Sequence, residues 1–68
     1  MKKLELLRLQ KRIIALAKVQ NTGHVSVLAY RLSVSNRTLK RMVKQVRDSG
    51  IPIYFDHRRG SYRIDEEF

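Results

Sequence analysis

Between Val25 and Val46 the chain reads VSVLAYRLSVSNRTLKRMVKQV, and no other stretch restricts its fold so strongly. Val25, Leu28, Ala29 and Leu32 recur at spacings of three and four, the period of one helix face. The same spacing resumes at Leu39, Met42, Val43 and Val46. Ser33-Val34-Ser35 interrupts the pattern, and the Ser35 hydroxyl is placed to cap the free amide of Arg37 or Thr38. The segment predicts two short helices joined by a tight corner, each with one side to bury.

The flanking sequence completes one small domain. Residues 3–19 predict an amphipathic helix, with Leu6, Leu9, Ile13, Leu16 and Ala17 on its inner stripe and Leu7 and Ile14 widening it. Arg8, Lys11, Arg12 and Lys18 fall opposite, and Asn21-Thr22-Gly23 is expected to stop the helix. The further helices are expected at about 25–32 and 36–48, the last closed by Asp48-Ser49-Gly50. Beyond Gly50 the period changes to two. Ile51, Ile53 and Phe55 alternate with Pro52, Tyr54 and Asp56, then Tyr62 and Ile64 alternate with Ser61, Arg63 and Asp65. Strands are expected at about 51–56 and 61–65 around the turn His57-Arg58-Arg59-Gly60, with Pro52 at a strand start or on an edge. The fold class is mainly α with a small β-hairpin, in the order helix, helix, helix, strand, turn, strand.

At 68 residues the chain has room for one domain over 1–68, and it has no cysteine to staple it. Its core must come from packed aliphatics. Fifteen Lys and Arg against six Asp and Glu give a net charge of +9, which draws the protein to polyanions. The charge is clustered. Arg37, Lys40, Arg41, Lys44 and Arg47 share one helix, Arg58, Arg59 and Arg63 lie at the hairpin, and Asp65, Glu66 and Glu67 stand apart at the end. A solvated helix face held by i, i+4 pairs fits poorly, because Asp48 is the one opposite charge on that helix.

The stretch Val25–Val46 resembles the helix-turn-helix motif position by position. In that resemblance Ala29 falls where the two helices touch most closely. Leu28, Leu32, Val34, Leu39 and Met42 take the packed positions. Ser33 takes the corner, where the family usually has glycine for an unusual φ. Over about residues 4–65 the chain is similar to the winged helix-turn-helix domains at the N-termini of many bacterial repressors, the biotin repressor type among them. That likeness is carried by Leu28-Ala29, by the run from Val34 to Arg41, by Ser49-Gly50-Ile51-Pro52-Ile53 and by Gly60-Ser61-Tyr62-Arg63-Ile64. The family tends to have a Gly-Tyr pair in the returning strand. Here Ser61 intervenes, which makes the wing turn one residue longer or differently bulged.

The resemblance implies binding of double-stranded DNA by a bacterial or phage transcription regulator, in the cytoplasm and associated with the nucleoid. The residues of the third helix point the same way. Arg forks onto guanine and Asn onto adenine in the major groove, and the first turns of a recognition helix meet the bases. Asn36, Arg37, Lys40 and Arg41 are therefore the expected base readers. Ser35, Thr38, Lys44 and Arg47 are expected on phosphates, with Arg58 and Arg59 of the wing on the minor groove or the backbone. Tyr62 is expected in the core, and Tyr30 either there or on a phosphate. His57 reads as an exposed turn residue, and His24 as a capping or exposed residue, with a backbone phosphate contact as the alternative.

No enzyme is expected: two isolated histidines make no triad, and neither a phosphate-binding glycine loop nor a paired carboxylate is present. No cofactor and no metal is expected. The competing class is a protein-interaction module. Leu4, Leu7 and Ile14 exceed a narrow stripe and either pack on the wing or form a homodimer interface, which would suit a palindromic site. RNA is disfavoured because an A-form duplex hides its major groove from side chains. A signal peptide and a membrane span are not expected, and a membrane-surface helix over 4–19 would expose a stripe the core needs.

Overall fold

The computed structural model describes residues 3–65. Three helices, α1 (Lys3–Lys18), α2 (Val25–Leu32) and α3 (Asn36–Asp48), precede an antiparallel hairpin of β1 (Ile53–Asp56) and β2 (Ser61–Ile64). This is the expected order, a mainly helical, winged-helix-like topology.

Each helix spends its apolar stripe on one shared core. Ile13 and Ala17 come from α1, Leu28, Ala29 and Leu32 from α2, and Leu39, Met42, Val43 and Val46 from α3. Ile53 and Tyr62 close the core from the hairpin, with Leu6, Leu9, Ile14 and Val34 packed at its margin. Ala29 is buried as the helix-turn-helix likeness implies, and its single methyl lets α2 and α3 approach closely. Leu4 and Leu7 do not pack on the wing: 61% and 47% of their surface stays open, because α1 turns its other side to β2 and α3. Tyr30 is no core residue either, at 86% exposure. It lies on the outer side of α2, away from Leu28, Ala29 and Leu32.

The corner adopts the geometry that its position demands. Ser33 has φ 58° and ψ 42°, in the left-handed region. Its N–H donates to the Tyr30 carbonyl and the Val34 N–H to the Ala29 carbonyl, at 3.1 and 3.0 Å. These are the paired bonds of a Schellman helix end.

The same motif ends α1 earlier than the sequence suggests. Lys18 is its last residue, and Gln20 takes the left-handed position at φ 55°. The Gln20 and Asn21 amides bond the Ala17 and Leu16 carbonyls, at 3.1 and 3.0 Å. The hairpin strands are likewise shorter than 51–56 and 61–65. The Ile53 N–H folds back onto the Ile51 carbonyl at 2.8 Å, so Ile51 and Pro52 turn the chain out of α3 instead of pairing. Pro52 therefore sits just before the strand, and its carbonyl accepts from the Asp65 N–H. The register pairs Ile53 with Ile64 and Phe55 with Tyr62 on one face, and Tyr54 with Arg63 on the other. Glu66 and Glu67 of the acidic tail lie outside the described residues.

Candidate nucleic-acid interface

α3 starts at a satisfied cap. The Thr38 amide donates to the Ser35 hydroxyl oxygen at 3.1 Å, and that hydroxyl donates to Thr38 Oγ1 at 3.0 Å. Ser35 is thereby committed to the helix start, while Thr38 keeps its own hydroxyl hydrogen for an outside acceptor.

A helix turns about 100° per residue, and this sorts the polar residues of α3 into three rows. Arg37, Arg41 and Lys44 point directly away from Leu39, Met42, Val43 and Val46. Asn36 and Lys40 flank the hairpin, where they line an open cleft of about 480 Å³. Thr38, Arg41 and Gln45 border α1, and Gln45 accepts a hydrogen bond from Gln10 at 2.9 Å. Among the described residues, Arg37, Lys40, Arg41 and Lys44 make no ion pair. Four cations thus share an exposed surface without internal neutralisation, which costs repulsion until an anion covers them.

Arg47 behaves differently from its neighbours. Its Nε donates to the Ile53 carbonyl at 3.0 Å, tying the end of α3 to the first wing strand. Sequence spacing carries no sign of this bond, because it depends on the turn at Ile51-Pro52. Its charge also reaches Tyr62, whose phenol burial pushes to a higher pKa while Arg47 pulls it partly back.

The wing is built around Asp56. One carboxylate oxygen accepts from the Arg58 and Arg59 amides at 2.9 and 3.3 Å, and the other accepts from Arg63 at 3.0 Å. The Gly60 N–H closes the turn onto the Asp56 carbonyl at 2.8 Å. The Arg63 guanidinium holds the Asp56 carboxyl below the usual carboxylate range against some desolvation, and the two turn amides add to the effect. Arg58 and Arg59 are left with their side chains exposed at the tip. Gly60, at φ 62°, lies under the His24 ring: an added Cβ would stand 3.2 Å from His24 Nε2.

The sequence reading missed the buried tether that holds the wing. Thr22 is fully buried and lies on the edge of β2 that β1 leaves open. Its N–H donates to Ser61 Oγ at 3.0 Å, and the Tyr62 N–H donates to Thr22 Oγ1 at 2.8 Å. The two hydroxyls stand 3.0 Å apart, and Ser61 donates on to the Tyr62 carbonyl. Side chains here do the work of a third strand. A Thr and a Ser 39 residues apart leave no periodic signature, which is why patterning could not find them.

The structure therefore gathers Asn36, Arg37, Lys40, Arg41 and Lys44 on one exposed helix, with Arg58 and Arg59 on the neighbouring turn. Ser35 and Arg47 are drawn into structural bonds. No helix among the described residues is long and apolar enough to cross a membrane. No group of three or more potential metal ligands forms among them. No family model, curated protein or solved structure matches the chain.

Proposed function

We propose that the protein binds double-stranded DNA in a sequence-selective way, as a transcription regulator, with α3 in the major groove and the 57–60 turn on the minor groove or backbone. The observation that carries the reading is the unpaired cationic row of α3, held outward by Leu39, Met42, Val43 and Val46 and continued by Arg58 and Arg59. A rod about 10–12 Å across with such a face matches the width of the major groove of B-DNA.

In this reading Asn36, Arg37, Lys40 and Arg41 of the first two turns meet base edges. Thr38, Lys44, Arg58 and Arg59 take phosphates. Ser35 acts through the helix start that it caps, and Arg47 presents to the backbone only the part of its guanidinium not used on Ile53. The likeness to repressors of the biotin repressor type supports the same assignment, and a DNA partner would place the protein at the nucleoid.

A salt titration with duplex DNA tests it. Neutralisation of about four phosphates by Lys44, Arg47, Arg58 and Arg59 gives a slope of log affinity against log salt of about −3.6. Binding that ignores salt, or no binding at low salt, refutes the proposal. Arg37→Ala should cost about 1–3 kcal/mol on the preferred site and relax selectivity, whereas Lys44→Ala should weaken all sequences alike.

The exposure of Leu4 and Leu7 favours a second, compatible reading, a homodimer formed through the first half of α1. Sedimentation over a concentration series tests it, and a monomer at the highest concentration rules it out.

A further inference from the structure

The cleft beside α3 holds two histidines that major-groove binding does not use. Its walls include His24 and Ser26 at the start of α2, Asn36 and Lys40 of α3, and Phe55, His57 and Tyr62 of the wing. Phe55 is flanked by both histidines of the chain: the His24 ring centre is 5.6 Å from it and that of His57 is 5.0 Å. Tyr62 meets the same ring edge-on at 5.1 Å. The apolar Phe55 platform therefore fixes two imidazoles from different parts of the chain at the rim of one cleft, both exposed to solvent.

Charge decides what the cleft can hold. Its titratable walls are His24 just before α2, Lys40 from α3, and His57 and Tyr62 from the wing, with no carboxylate among them. The nearest acid in sequence, Asp56, is engaged by Arg63 and the turn amides. A cation entering the cleft would meet the Lys40 ammonium with nothing to offset it. An anion would meet an ammonium, an amide, a hydroxyl and two imidazoles able to donate. The cleft lies between α3 and the wing, so a duplex touching both passes one strand across its mouth.

We propose that this cleft seats a backbone phosphate of the bound duplex between His24 and His57, beside Lys40, so that acidification strengthens DNA binding. The inference rests on the DNA-binding reading and adds a site and a regulator to it. Imidazole is the side chain that gains charge between pH 8 and pH 5. A phosphate beside an imidazole favours its charged form. Proton uptake and phosphate binding therefore promote one another, and the coupling is reciprocal.

The test is duplex binding by the full chain at pH 8 and pH 6 across a salt series, for the native protein, His24→Gln, His57→Gln and the double variant. Glutamine keeps a donor and removes the switchable charge. The expected result is a native affinity that rises roughly fivefold or more at pH 6, with a salt slope steeper by at most roughly 0.9, the share of one phosphate. The double variant should lose the rise, its ratio of affinity at pH 6 to affinity at pH 8 falling to about one. A duplex carrying a neutral methylphosphonate at the contacted position should lose it too. Circular dichroism melts at both pH values check that each variant is folded. Should a variant fail to fold, the native pH and methylphosphonate series decides alone. Salt-sensitive binding without the pH effect, or a pH effect that survives in the folded double variant, overturns the phosphate seat and leaves DNA binding standing. No salt-sensitive binding at either pH overturns both.

Discussion

Replacing Thr22 by valine keeps shape and volume but removes one oxygen from the buried tether beneath the wing. That oxygen accepts the Tyr62 amide at 2.8 Å and lies 3.0 Å from Ser61 Oγ. With a methyl group in its place, the Tyr62 N–H faces an apolar wall at a site water does not reach. A buried donor stripped of its partner costs about 1–3 kcal/mol, and the Gly23 carbonyl also loses the Thr22 hydroxyl that donates to it at 3.0 Å. The new methyl group recovers at most roughly 0.8 kcal/mol of transfer free energy. Thr22→Val should therefore destabilise the domain by about 1–2 kcal/mol, and in a chain this short each kcal/mol lowers Tm by roughly 4–8 °C. Urea unfolding followed by circular dichroism measures the loss, and amide exchange at Tyr62 localises it. Ser61→Ala completes a double-mutant cycle, in which hydroxyls sharing one network should couple by about 0.5 kcal/mol or more. A loss under about 0.5 kcal/mol with an unchanged m-value, or strict additivity with Ser61→Ala, would refute the claim that these hydroxyls hold the wing.

Other outcomes follow from single positions. Ser33→Gly and Gln20→Gly replace side chains held at φ 58° and 55°, and each should stabilise the fold by roughly 0.5–1 kcal/mol in thermal melts. The gain should be larger at Gln20, whose buried Oε1 has no hydrogen-bond partner among the described residues. Ala29→Leu drives three extra carbons between α2 and α3 and should cost about 1–3 kcal/mol in urea unfolding, with near-complete loss of duplex binding as the helices separate. Asp56 titrates lower in the folded protein than in the unfolded chain, so its stabilising effect is fully present above the ordinary carboxylate pKa. It fades as pH falls through the lower folded value. Asp56→Asn should therefore be less stable than the native protein at neutral pH and converge with it in strong acid. NMR titration of the Asp56 carboxyl carbon checks the direction.

The helices and the hairpin were legible because they depend on spacing. Leu28, Leu32, Leu39 and Met42 announce their face by a local rule, and period two announces the strands. The cationic surface was legible for the same reason: once the apolar stripe of α3 is placed, its arginines and lysines can only point outward. The ends were less legible. Gln20 closes α1 in the left-handed region, whereas Gly23, also left-handed at φ 75°, lies in the loop beyond; a terminal hydrogen-bond pair can outweigh glycine's ease at the helix end itself. Pro52 and the fold-back at Ile51 delayed the strand, an effect of backbone geometry that alternation alone does not register.

Fold class and the sign and placement of charge were determined by the sequence alone, since both come from residues near one another along the chain. The approach of residues on different elements was decided only by the tertiary structure. Thr22 against Ser61, Arg47 against the Ile53 carbonyl, and His24 with His57 about Phe55 are each set by how the core orients whole elements. No local periodicity encodes such pairs, because hydrogen bonds and ring contacts depend on how the chain turns between elements, even where, as at Arg47 and Ile53, the partners are only six residues apart.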